Sequence, residues 1–299
     1  MIGDILAMYL QEKAPHMAPD GIRTLGAAIK PLIEYWADKP ASILRENTCR
    51  GYVAWRKTRT TAAPRQELAY LKAAVNHDWR AGRLIEPVPV WLPSPPQARQ
   101  RWLTREEAAH LVWSARKGES KSYLPLFILL GIYTGARKQA LLQLRWHQVD
   151  LQRRIIRLAA DGEATTNKRK AIIPIPSRLM TVLRYARQRG TDFGYVIRPP
   201  ENRRRVMTAQ EKAAPLKDIK GSFQAACQRA GLEDVTPHTL RHTAASWMVQ
   251  AGVPLFEVAR YLGHTSTAMV EKTYGHMAPH HLKAAASALD NRKKSLLPQ

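Results

Sequence analysis

Five prolines fall within the ten residues PVPVWLPSPP, positions 87–96, and this segment limits what the chain can fold into more than any other. Each proline fixes its own φ and removes a backbone donor, so neither a helix nor a central strand can run through it. The pattern predicts a stiff, extended linker over residues 87–101, with one unit before it (1–86) and another after it (102–299). In the first unit apolar residues recur at three- and four-residue spacing, as Ile5, Leu6, Tyr9 and Leu10, then Ile29, Leu32, Ile33 and Trp36, then Leu68, Leu71, Ala74 and Val75. That period belongs to amphipathic helices and predicts a small four-helix unit.

The second unit opens on Thr104 and Glu107, a capping-box pair in front of an apolar-periodic run, so a helix is expected from about Arg105. Another helical stretch follows Gly135 and carries Leu141, Leu142 and Leu144. The period then changes. QVDLQRRIIRLAA and KAIIPIP read as short strands flanking the turn DGEATTNKR, a small sheet among helices. Beyond Arg178 the pattern is helical again, ending in HLKAAASALD. The expected fold is mainly α: a helical unit, then an α-rich unit with a small antiparallel sheet.

Charge narrows the partner. Lys and Arg number 47 against 24 acidic residues, a formal net charge of +23, which calls for a polyanion; DNA or RNA fits best. Residues 1–100 carry +5 and the remainder +18, so both units are positive, as the two jaws of a clamp around a duplex need to be. A membrane surface is disfavoured because the basic residues are spread along the chain instead of lying on one amphipathic segment. The apolar run at 123–133 is too short to span a bilayer, and the N-terminus has acidic residues inside its apolar stretch, so a soluble chain without a signal peptide is expected. Cys49 and Cys227 are far apart with no CxxC, which argues against a disulfide framework and for a reducing cytoplasm.

Four local features carry candidate chemistry. TGARKQALLQLRW (134–146) sets Arg137 after a glycine turn, near the start of a helix; alone, it reads equally well as a solvated arginine. TTNKRKA (165–171) offers Lys168 and Lys170 in a turn between strands, where lysines are usually just solvated. In HTLRH (238–242), Thr236 is the expected N-cap and Pro237 the first helical residue, and His238 and Arg241 share a helix face. His238 and His242 are four apart as in a zinc helix, yet Thr239 stands where HExxH needs Glu, so no metal is expected. LGHTSTAMVEKTYGHM (262–277) places His264 ten residues before Tyr274, a tyrosine that in isolation reads as core or rim.

In this order the set resembles the tyrosine recombinase family of phage integrases, Xer recombinases and Cre-like enzymes. The resemblance covers roughly residues 100–280, while residues 1–86 resemble the family's SAM-like core-binding domain more loosely. It implies that Arg137 and Arg241 grip a scissile phosphate of double-stranded DNA, that Lys168 is the general acid, in preference to Lys170, and that His238 is the general base. His264 would hydrogen-bond the phosphate, and Tyr274 would be the nucleophile. Relatives commonly carry an acidic residue three positions after the first arginine; here that position is Ala140, so a prop of the site must be absent or replaced.

These residue types suit the chemistry. Two guanidinium forks match the non-bridging oxygens of a phosphodiester and stay charged at any working pH. A phenol is a poor nucleophile at neutrality and needs a nearby base. A phosphotyrosine link conserves the energy of the broken bond, so neither ATP, metal nor other cofactor is expected. The resemblance further implies a tetrameric synapse of two DNA sites at the bacterial nucleoid, with a directionality factor as a possible further partner. HLKAAASALD would dock on a neighbouring protomer or pack on its own unit. No room is expected before residue 1 for a further arm-binding domain, which favours a simple recombinase, although the motif style is closer to prophage integrases than to Xer-type resolvases. A DNA-binding regulator that has lost catalysis and a type IB topoisomerase are the competing readings.

Overall fold

The computed structural model describes residues 1–58, 60–95, 101–158, 171–188, 194–198, 214–264 and 266–278. The chain divides into two compact units at Arg99 and Gln100. Four helices make the first: α1 (Ile2–Lys13), α2 (Pro19–Trp36), α3 (Glu46–Trp55) and α4 (Ala62–Arg80). Their apolar stripes meet in one core that includes Leu6, Leu25, Leu32, Tyr52, Leu68 and Leu71, all fully buried. Of the periodic residues on α2, Ile29, Leu32 and Trp36 turn inward, and Ile33 lies on the exposed edge. Two carboxylates are buried in this unit, Glu67 and Asp78, and each is paired with an arginine. Glu67 accepts from Tyr52 Oη at 2.6 Å and from both Nε (2.9 Å) and Nη2 (2.7 Å) of Arg56, a bidentate pairing that offsets its desolvation.

The proline segment has no regular element over 87–95, as the missing donors dictate. Part of it belongs to the first unit: Val90 is in the core, Arg65 donates to the carbonyl of Pro93, and the Arg50 guanidinium lies 4.5 Å from the ring centroid of Trp91.

The second unit begins with α5 (Arg105–Ala115). Its cap is reciprocal, with Glu107 N donating to Thr104 Oγ1 at 3.1 Å and Thr104 N to Glu107 Oε2 at 2.9 Å. Next, α6 (Leu124–Thr134) is apolar on nearly every side and runs through the core. A short α7 (Lys138–Leu142) leads to a three-stranded antiparallel sheet, β1 (Val149–Asp150), β2 (Ile155–Arg157) and β3 (Ile172–Pro174), in the order β1-β2-β3. Ile156 pairs with Val149 on one side and Ile173 on the other. The stretch QVDLQRRIIRLAA is thus two strands and not one. Asp150 Oδ1 accepts from the backbone of Gln152 and Arg153, and Arg154 takes a left-handed φ of 57°, closing a tight turn that no glycine or proline signals.

Five more helices follow among the described residues: α8 (Ser177–Gln188), α9 (Lys220–Arg229), α10 (Pro237–Gln250), α11 (Leu255–Leu262) and α12 (Ala268–Tyr274). The pivotal one is α10, buried on two faces. Leu240 joins the large core built around α6, while Ala245 and Val249 pack with Val258, Leu262, Val270 and Tyr274 in a smaller core under α11 and α12. The chain before α5 is fastened to α10 by Leu103, whose N–H donates to Thr243 Oγ1 and whose carbonyl accepts from Trp247 Nε1, both at 2.9 Å. Among the described residues no helix is long and apolar enough to cross a membrane. HLKAAASALD lies outside the described residues.

Candidate active site

Two left-handed glycines shape the site. Gly135 ends α6 at φ 61°, and a Cβ there would stand 2.3 Å from Leu262 Cδ2, so only glycine lets the chain turn at this point. The turn leaves Arg137 in extended conformation as the N-cap of α7, exposed at the surface. Gly263 ends α11 in the same way, with φ 72°, and the turn is closed by His264 N donating to Ala259 O at 2.9 Å. Both turns leave a carbonyl with an unused lone pair pointing at α10.

Arg241 on α10 occupies that position. It is only 5% exposed. Its Nη1 donates to Gly135 O at 2.7 Å, and its Nη2 donates to Leu262 O at 2.9 Å and lies 2.8 Å from His264 Nε2. A guanidinium has no acceptor, so His264 Nε2 must accept and the ring carries its proton on Nδ1. Burial and the neighbouring charge of Arg137 pull the Arg241 pKa down to about 10, still charged at neutrality. Among the described residues neither Arg241 nor Arg137 has a carboxylate partner. A buried cation held only by dipoles is a costly arrangement unless an anion arrives to complete it.

The histidines respond to the same charges. His264 is lowered from its ordinary pKa by burial, then by Arg241 and Arg137; His238 is lowered by the same three causes. His238 sits in the first turn of α10, which begins at Pro237 with Thr236 as N-cap. One turn on, His242 meets its ring edge-to-face at 4.7 Å between centroids, and its pKa is lowered by burial, His238 and Arg241.

Tyr274, the last residue of α12, is buried, and its hydroxyl hydrogen-bonds to His242 Nδ1. Burial pushes the phenol up to about 12, against a lowering pull from Arg241. Of the residues expected from sequence, Arg241 and His264 touch, Tyr274 and His238 feel the Arg241 charge, and Arg137 acts on Arg241, His238 and His264. Lys168 and Lys170 lie outside the described residues. Ala140 is partly exposed on α7, and the start of that helix is tied down by Lys138 Nζ, 2.9 Å from Asp218 Oδ1.

His242 is the site residue that the sequence reading did not assign. Its spacing from His238 suggests only a metal-ligand pair. Its signal was its place immediately after Arg241, but nothing local says which side of α10 turns toward α12.

Residues 101–281 match the model of the phage integrase family. The integrase of Salmonella phage P22 is 29% identical over 238 residues, covering 79% of this chain and 59% of its own length. The tyrosine recombinase XerA of Pyrococcus furiosus is 30% identical over 205 residues, 67% of this chain and 66% of its own. The chain therefore spans less than two thirds of the length of these relatives. Among solved structures, the Tn1549 transposon integrase in complex with a circular intermediate DNA has a TM-score of 0.76 at 14% identity, covering 97% of this chain and 99% of that one. A lambda integrase fragment, solved as a dimer bound to a core site, has a TM-score of 0.67 at 16% identity, covering 89% and 96%. At such identities the likeness is one of fold.

Proposed function

Because the chain belongs to the phage integrase family, we propose that it is a site-specific DNA recombinase that cuts and rejoins strands through a covalent link to Tyr274. The observation that most supports this reading is the buried guanidinium of Arg241, with no carboxylate partner among the described residues, beside a buried tyrosine and three histidines whose pKa values are lowered. Such a pocket suits a phosphodiester anion. Arg137 and Arg241 would take its two non-bridging oxygens while His264, already fixed by Arg241, adds a third donor through its protonated nitrogen. Losing one such donor typically costs about 3–4 kcal/mol in the transition state.

In the reaction Tyr274 Oη bonds to phosphorus, the bond to the 5′-oxygen breaks, and that oxygen leaves with a proton from Lys168. A 3′-phosphotyrosine remains, and attack by another 5′-hydroxyl reverses the steps without ATP or metal. His238 is the base in the family-based assignment. Four protomers would synapse two duplex sites in the cytoplasm, with a directionality factor setting the outcome. Integration or excision of a phage or mobile element is the preferred role over Xer-type resolution, on the longer match to the P22 integrase.

The test is to incubate wild type and Tyr274→Phe with nicked duplexes tiling the DNA that flanks the gene. A denaturation-resistant protein–DNA adduct for the wild type alone is the expected result. No adduct despite tight binding to one of those duplexes turns the reading toward a catalytically silent regulator, and relaxation of plasmids lacking any such site turns it toward a type IB topoisomerase.

A further inference from the structure

Building on the recombinase reading, we propose that His242, and not His238, takes the phenolic proton of Tyr274 during strand cleavage. A general base must lie within hydrogen-bond reach of the proton it removes, and the Tyr274 hydroxyl bonds to His242 Nδ1. Among the described residues the His238 ring meets the His242 ring edge-on, and it is His242, not His238, that the Tyr274 hydroxyl contacts.

Protonation states give this bond its direction. Burial keeps the phenol protonated, while burial together with His238 and Arg241 keeps the His242 imidazole neutral. An unprotonated imidazole nitrogen accepts more strongly than a phenol oxygen, so Oη–H donates to Nδ1 and the ring carries its own proton on Nε2. Among the described residues, the charged and titratable groups facing His242 are His238 and Arg241 on α10 and Tyr274 on α12. Its two α10 neighbours oppose an added proton. A phosphodiester seated against Arg241 and Arg137 brings a negative charge that offsets them, so the base strengthens when substrate arrives.

The step balances. As Oη bonds to phosphorus its proton passes to Nδ1, the bond to the 5′-oxygen breaks, and that oxygen takes its proton from the general acid. On religation His242 returns its proton to Tyr274. His238 is then free to serve as a further donor to the phosphate from the first turn of α10.

Two measurements on the full chain test the assignment. His242→Asn puts an amide oxygen near the position of Nδ1, keeping an acceptor and removing the base. Single-turnover adduct formation on the nicked duplexes should fall about 10²–10⁴-fold near neutrality and recover steadily as pH rises, with duplex binding unchanged. A rate and pH profile matching the wild type overturns the proposal, and so does a loss that no rise in pH recovers, since a merely structural role predicts it. The second measurement needs no turnover: imidazole ¹⁵N shifts of the wild type should show His242 with its proton on Nε2 and a signal that moves in Tyr274→Phe. A proton on Nδ1, or a signal indifferent to Tyr274, overturns the proposal. If the wild type forms no adduct while this NMR signature is present, it is the recombinase reading that has failed and not the hydrogen bond.

Discussion

At the scale of single residues, the three histidines of the site are held back from taking a proton. His238, His242 and His264 are all lowered, each chiefly by burial. In the unfolded chain they titrate near about 6.5. Below that value the unfolded state binds protons that the folded state refuses, so the stability these residues contribute is present above it and is lost as pH falls. Thermal denaturation should therefore show the melting temperature dropping from neutrality into mild acid, with a shallower drop in His264→Asn. Tyr274 acts at the other end: its folded pKa of about 12 lies above the unfolded value of about 10, so its contribution disappears as pH rises between them. That Arg241 belongs to the candidate site was legible from HTLRH and the family resemblance. That it bonds two carbonyls from two helix ends was not, because those partners are 106 and 21 residues away.

At the scale of elements, local chemistry was readable and long-range geometry was not. The starts of α5 and α10 follow from Thr104 with Glu107 and from Thr236 with Pro237, because a cap is settled within one turn of chain. The β1–β2 hairpin was missed because its turn is made by Asp150 and by a left-handed arginine inside an otherwise strand-like run. Gly135 joins the two kinds of information. Gly135→Ala should destabilise the protein by at least about 1–2 kcal/mol, because the new methyl group meets Leu262 and the positive φ disfavours it. Urea denaturation measures that loss. Adduct formation should fall further than stability alone explains, because the carbonyl that orients Arg241 moves with the turn.

For the whole molecule, charge is the dominant quantity. A surplus of +23 spread over both units predicts binding to any duplex that weakens steeply with salt. If about six to ten phosphates are neutralised, affinity should drop about 10³–10⁵-fold between about 50 and 200 mM salt, measured by fluorescence anisotropy on a duplex of arbitrary sequence. A shallow slope would mean that most of the surplus faces solvent. The proline-rich segment was readable as a stretch without helix or strand, since that follows from backbone chemistry. Its anchorage through Val90, Trp91 and Pro93 was not, because alternating small and apolar residues look the same in a free tether and in a packed one.

The three bonds of Arg241 carry a last implication. The groups they join come from the end of α6, the end of α11 and the residue two beyond it, so this constellation does not exist until all three have been brought together around α10. A nascent or partly melted chain has the phenol but no means of aiming it. On the recombinase reading, competence to break DNA would arrive only with the completed fold.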